Sequence, residues 1–213
     1  MYEIEFYEKE NGESDVWDFL EELREKSEKS KDARIQYNQL MLHIQLLQNN
    51  GTRLPNNITK HIEEDIWELR PGNNRVFYFY YCNDTFVLLH HFRKKTQKTP
   101  QREIEKAKSE RDDYLSRKGS RFMRTWNDYK EHVKATSPQG KADIEEMEAI
   151  AAIISAVIEQ RNALGYSQRQ LAEMCHIPQS SIARIESCKT VPNLETLVKI
   201  MKPLGLTLTA QAV

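Results

Sequence analysis

Between residues 167 and 186 the sequence leaves little freedom of fold. SQRQLAEMCHIPQSSIARIE reads as two short amphipathic helices on either side of a tight turn. Ser167 is a good N-cap, and Gln170 three residues later completes a capping box. Leu171 and Ala172 then fall on one helical face. His176-Ile177-Pro178 makes the turn, and residues 179–186 form the second helix with Ile182 and Ile185 facing inward. His176 stands where glycine would fit most easily, and must accept an awkward backbone angle. Pro178 cannot cap through its side chain but presets the first helical turn. Gln179, Ser180, Ser181 and Arg184 are left facing outward, and such side chains reach base edges and phosphates in a major groove. Asn193 caps a third helix, with Leu194, Leu197, Val198 and Met201 at core spacing.

Two short amphipathic helices would also suit a structural bundle with no nucleic-acid role. The order S-Q-x-x-L-A, tight turn, Q-S-S-I-x-R-I-E, P-x-L-E-T-L is more specific, and over residues 150–208 it resembles the Xre/Cro-like regulators. That resemblance implies DNA binding through Ser167, Gln168, Gln179, Ser180, Ser181 and Arg184.

The first half of the chain is built differently. Residues 2–7 alternate as a strand does, and residues 14–23 form a helix with Val16, Phe19, Leu20 and Leu23 on one face. Residues 32–48 form a longer helix, marked by Ile35, Leu40, Leu42, Ile44 and Leu47 and closed by Asn50-Gly51. Three strands follow at 65–70, 75–81 and 86–92, joined by turns at 71–74 and 83–84. Pro100 starts a charged helix that ends near Arg117. The order βααβββα predicts an α+β domain over residues 1–118, an antiparallel sheet with helices on one face. Residues 119–124 read as a linker or fusion seam, because Gly119-Ser120 breaks the helix and a new amphipathic segment opens at Trp126. Residues 125–213 then form an all-α domain. Ser137-Pro138-Gln139-Gly140 gives a turn, a long helix follows over 143–164, and the two short helices come after it.

Composition limits the partners. The net charge is −1, but residues 1–32 are acidic and R-K-K-T-Q-K at 93–98 holds four basic residues and no acid, so local patches decide nucleic-acid binding. The three cysteines lack metal spacing, and their odd number suits free thiols in a reducing cytosol. No apolar run is long enough for a membrane span, and residues 1–5 are no export signal, so a cytoplasmic protein is expected. No glycine-rich phosphate loop or metal-ligand spacing is present, and no cofactor is expected. Glu63-Glu64-Asp65 reads as a solvated acidic turn.

I-W-E-L-R-P-G-N-N-R-V-F-Y-F at 66–79, V-L-L-H-H-F-R-K-K-T-Q-K-T-P at 87–100 and E-I-E-K-A at 103–107 carry a second resemblance. Residues 1–118 are similar to the HigB branch of the RelE/ParE toxin superfamily, and the downstream regulator then looks like HigA, its antitoxin. The resemblance implies an endoribonuclease acting on ribosome-bound messenger RNA. RNA can be cut by its own 2′-OH, which needs orientation, proton transfer and stabilisation of a doubly charged phosphorane. Arg75 is the first choice for a phosphate clamp, because its planar fork suits bidentate contact. Arg93, Lys94 and Lys95 close the neighbouring strand, and the resemblance, through a late basic position of the RelE pattern, places Lys95 near the transition-state charge. Lys98 and Arg70 extend the RNA-binding patch, although Arg70 also suits pairing with a nearby carboxylate. His90 and His91 lie on opposite faces of one strand, so one at most serves as a proton shuttle, and His91 is the candidate. Tyr78 fits the core better than a base stack, and Tyr114 matches no motif position.

The two domains are expected to bind each other, with Trp126, Tyr129, Ile150 and Ile154 as the contact. Messenger RNA, the ribosome and operator DNA are the expected outside partners. Homodimerisation is expected through the second domain, where residues 206–210 alternate like a strand. Two rivals remain: a transcription regulator whose first domain has lost catalysis, and a ParE-like relative acting on gyrase, against which the H-F-x-K-K-T-Q-K-T-P stretch argues.

Overall fold

A computed structural model describes residues 1–95, 98–117, 123–136 and 138–209. The chain divides into two compact units, Met1–Glu148 and Ala149–Val213. The first opens with strand β1 (Glu3–Phe6) and helices α1 (Asp15–Ser27) and α2 (Lys31–Asn50). Strands β2 (Thr59–Glu63), β3 (Ile66–Leu69), β4 (Asn74–Tyr80) and β5 (Thr85–Arg93) follow. Helices α3 (Gln101–Arg117) and α4 (Trp126–Thr136) come next, and α5 (Pro138–Ala163) runs on into the second unit.

The sheet order is β1-β5-β4-β3-β2, antiparallel except where β1 lies parallel to β5. The sequence pattern misses β2, an edge strand whose T-K-H-I-E has no apolar alternation and exposes Lys60 and His61. Charged residues are a common way to keep such an edge from pairing with another chain. Asn83 and Asp84 turn β4 into β5 with positive φ angles of 49° and 58°, as a type I′ hairpin requires. Gly51 ends α2 as expected. Its φ is +59°, and a Cβ there would sit 2.7 Å from the Tyr2 ring.

The α+β class is as read, with helices on both faces of the sheet. Helix α3 covers Phe77, Phe79, Val87 and Leu89 with Ile104, Ala107 and Tyr114. The register between β4 and β5 shifts between Val76 and Tyr78. Beyond that irregularity His90 meets Glu103 and Glu110 of α3, whereas His91 meets Asp15 and Phe19 of α1. Glu64 and Asp65 do form a turn, with Glu63 ending β2, but the three acids are tied to α3 by Lys108 and Arg111. Ile35, expected on the buried face of α2, is 46% exposed. Pro138 and Gly140, expected in a turn, lie in the first turn of α5, where proline at the first helical position costs no hydrogen bond.

The sequence places the change of domain at residues 119–124, of which 119–122 lie outside the described residues. By packing, the change comes after Glu148. The chain rejoins the sheet at once: Phe6 donates its backbone N–H to the Arg124 carbonyl at 2.9 Å, and Thr125 pairs with Glu5. Trp126 is fully buried and donates its indole N–H to Gln45 of α2 at 2.9 Å. Its ring stacks on Tyr129, which meets Trp17 edge-on with centroids 5.0 Å apart. The Tyr129 hydroxyl lies 3.4 Å from that of Tyr37, and burial drives its pKa far above the usual phenol value. Lys130 is buried too and donates to Gln45, Gln48 and Glu148.

In the second unit, the end of α5 packs with α6 (Gln168–Cys175), α7 (Gln179–Glu186) and α8 (Leu194–Met201). The face of α8 differs from expectation. Ile200 and Met201 are buried with Leu204, while Leu194 and Val198 are 65% and 49% exposed. Residues 206–209 form no strand, and Ala210 lies outside the described residues. Among the described residues no helix is long and apolar enough to cross a membrane.

Because Trp126 fills the seat between β1 and α2, its truncation leaves a cavity that rigid neighbours cannot fill. Trp126→Ala is expected to cost the first unit about 3–5 kcal/mol in chemical denaturation. An unchanged denaturation midpoint would mean that α4 is only loosely seated.

Candidate nucleic-acid interfaces

The basic residues of the first unit divide between two places. Arg70, Arg75 and Lys94 gather around Glu68, which is 1% exposed on β3. Arg70 donates its Nε–H to Glu68 Oε1 at 2.9 Å and an Nη1–H to the Asn56 carbonyl at 2.8 Å. Arg75 donates through Nη1 to the carbonyls of Gly72 and Asn74, at 3.0 and 2.6 Å. Burial holds the Arg75 pKa below its ordinary value, and Arg70 pushes the same way against the pull of Glu68. Lys94 donates its backbone N–H to Asn73. Its side-chain pKa is also lowered, first by burial and then by Arg75, Arg70 and Lys60, with Glu68 opposing. Lys60, unassigned from the sequence, enters the group because β2 places it directly opposite Glu68. Lys95 and Lys98 are exposed, and Thr96 and Gln97 between them lie outside the described residues.

His91 and Arg93 stand elsewhere. They line an open cleft of about 580 Å³ with Phe19 and Leu23 of α1, Gln36 of α2 and Asn74 of β4. One Asp15 oxygen accepts both the His91 backbone N–H, at 2.7 Å, and the ring at Nδ1, at 2.6 Å. The ring stacks on Phe19 with centroids 3.7 Å apart. His91 is thus not brought to Arg75. His90 is fully buried, with Nδ1 2.6 Å from Glu110. Tyr78 is core, its hydroxyl bonded to Thr59, and Tyr114 is core, donating to Glu5.

In the second unit the capping box forms as read: Ser167 accepts from the Gln170 N–H, and the Gln170 side chain accepts from the Ser167 N–H. His176 takes the left-handed conformation (φ 54°, ψ 42°) that the turn demands. Ile182 and Ile185 are buried, Gln179, Ser180 and Arg184 are exposed, and Ser181 is half-buried. A buried ion pair, missed in the sequence, ties α7 to α5. Glu186 is fully buried and bound by Arg161 at 2.6 and 3.0 Å. It also accepts from Gln168 at 2.8 Å, and Gln168 in turn accepts from Gln179 at 3.1 Å. Gln179, the first residue of α7, is therefore braced back to the core. Arg184 donates to Thr190 at 3.1 Å. Ile150 and Ile154 line an apolar groove of the same unit with Val157, Ile185 and Leu197.

Residues 157–211 match the helix-turn-helix family, and residues 19–112 match the family described as phage derived protein Gp49-like. A protein of Haemophilus influenzae described as an uncharacterized HTH-type transcriptional regulator is 39% identical over 83 residues, which cover 39% of this chain and 80% of the relative. The chain belongs to the HTH-type transcriptional regulators. This regulator carries a Gp49-like domain, related to the RelE-type toxins, ahead of its Xre-type helix-turn-helix.

The Asp15–His91 contact gives a pH test. Burial raises the Asp15 pKa, but the ring, charge and backbone N–H of His91, with Lys106, outweigh it and leave the value below ordinary. A carboxylate with a depressed folded pKa stabilises above its unfolded value, about 3.9, and loses that contribution as pH falls through the folded value. Asp15→Asn is expected to lower stability at neutral pH, and the gap from wild type to narrow below about pH 4. A gap constant down to pH 2 in urea denaturation would contradict this account.

Proposed function

We propose that the regulator is a type II toxin–antitoxin pair in one chain. Its first unit is a HigB-like endoribonuclease that cuts ribosome-bound messenger RNA without a cofactor. Its second unit is a HigA-like antitoxin that binds operator DNA as a homodimer and represses its own promoter. The observation that carries the first half is the gathering of Arg70, Arg75 and Lys94 on a rigid sheet, beside the exposed Lys95 and Lys98. Arg75 grips the scissile phosphate. Lys94, with its depressed pKa, meets the developing charge and can move a proton nearer neutral pH than an ordinary lysine. His91 has no part in that step, because it lines the other cleft.

Trp126 and Tyr129 provide the contact that joins antitoxin sequence to toxin fold. They pack against β1, α1 and α2, whereas the cationic group lies on β3 and β4 across β5. The second reading, a regulator whose toxin-like domain serves only for protein contact, draws on the description of the Haemophilus relative.

Residues 1–148, incubated with translating ribosomes, are expected to cut messenger RNA and leave 2′,3′-cyclic or 3′-phosphate ends. Arg75→Ala and Lys94→Ala should each lose most of the activity while keeping the wild-type circular dichroism. Products with 5′-phosphate ends would exclude the 2′-OH as nucleophile, and the absence of cleavage would favour the second reading.

The DNA half is tested separately. Gln179→Ala and Arg184→Ala should each weaken operator binding by about 1–3 kcal/mol and relax preference at one base pair. Unchanged affinity for both variants in a gel-shift titration would remove α7 from the groove.

A further inference from the structure

The cationic group has an acid at its centre for which the cleavage chemistry above has no use. Glu68 Oε1 accepts from Arg70 and lies 3.6 Å from Arg75 Nε, and Glu68 Oε2 accepts from the Thr99 hydroxyl at 3.2 Å. Arg75 Nε is buried and has no hydrogen-bond partner among the described residues. Leaving a buried donor unsatisfied is costly, so a pair serving stability alone would be expected to close that gap. Arg75 is held instead by the carbonyls at the start of its own strand. Lys94 is held by its backbone N–H on the Asn73 carbonyl, and Thr99 by its hydroxyl on Glu68.

Resting on the RNA reading above, we propose that Glu68 is a positioning residue of the RNA site. Its carboxylate locks Arg70 and anchors Thr99, so that Arg70, Arg75 and Lys94 converge on one RNA phosphate. It also offsets the mutual repulsion of Lys60 on β2, Arg70 after β3, Arg75 on β4 and Lys94 after β5. These are the charged groups that act on Lys94, and Glu68 is the acid that keeps its ammonium protonated against them. Exchanging the carboxylate for an amide of the same shape leaves an acceptor for Arg70 but removes the charge. Lys94 then loses its proton at lower pH.

The test uses the full chain as wild type, Glu68→Gln and Thr99→Val. The Lys94 titration midpoint is followed by NMR with ¹³C-labelled lysine. Affinity for a single-stranded RNA oligonucleotide is followed across pH by fluorescence anisotropy. In Glu68→Gln the Lys94 midpoint is expected to fall, and the alkaline loss of RNA affinity to begin at correspondingly lower pH. At the acid end affinity should be unchanged or tighter, because one negative charge is gone. Thr99→Val keeps the carboxylate, so its midpoint should stay at the wild-type value while RNA affinity falls at every pH. A lower melting temperature in Glu68→Gln with an unmoved Lys94 midpoint would overturn the proposal, leaving Glu68 a purely structural ion pair. Should Glu68→Gln fail to fold, wild-type RNA affinity in Thr99→Val would overturn it instead. If the full chain shows these shifts but residues 1–148, freed of the second unit, cut no messenger RNA, the endonuclease reading is refuted and the role of Glu68 stands.

Discussion

An ionised carboxylate taken out of water costs several kcal/mol unless cations and donors meet it closely, and each unit of this chain is organised around such a group. In the first, Glu68 on the third strand collects Arg70, Arg75 and Thr99. In the second, Glu186 at the end of α7 collects Arg161 and Gln168. Replacing such groups by well-packed apolar residues is often neutral or stabilising, so the pairs are poor evidence for stability as such. Their effect here is orientation. Each fixes the direction of polar side chains that face outward, arginines on the sheet and glutamines at the start of α7.

The orientation works differently in the two units. At Glu186 the network is closed: Arg161 takes both oxygens, Gln168 adds a third bond, and Gln179 is braced through Gln168. At Glu68 the network stays open, with Arg75 Nε left short of the carboxylate. A closed network suits a surface that docks as a rigid body on a regular duplex.

Much of the chain could be read from its sequence because the signals were local. The capping box at Ser167 and Gln170, the left-handed turn at His176 and the hairpin at Asn83-Asp84 depend on residues a few positions apart. Strand β2 was missed because Thr59 is its one buried residue and a bulge between His61 and Glu63 breaks any alternation in T-K-H-I-E. The acids were missed for a different reason. Glu68 and Glu186 look like ordinary surface glutamates until strand pairing and helix packing enclose them, and Asp15 finds His91 across 76 positions. The separation of His91 from Arg75 was half legible: alternation sets His90 and His91 on opposite faces, but the register shift near Val76 and the helices on each face decide what each one meets.

Helix α4 has a bearing on the order in which the protein is made. Phe6, Trp17 and Tyr37 are synthesised long before Trp126 and Tyr129, the rings that cover them. At roughly 5–20 residues per second, a growing chain leaves that aromatic seat bare for several seconds. The sheet domain therefore cannot finish folding until translation has passed into the segment that resembles the antitoxin. A ribosome that stops early releases an unfinished sheet domain, so the act of translation itself ties completion of the sheet to synthesis of the segment that follows it.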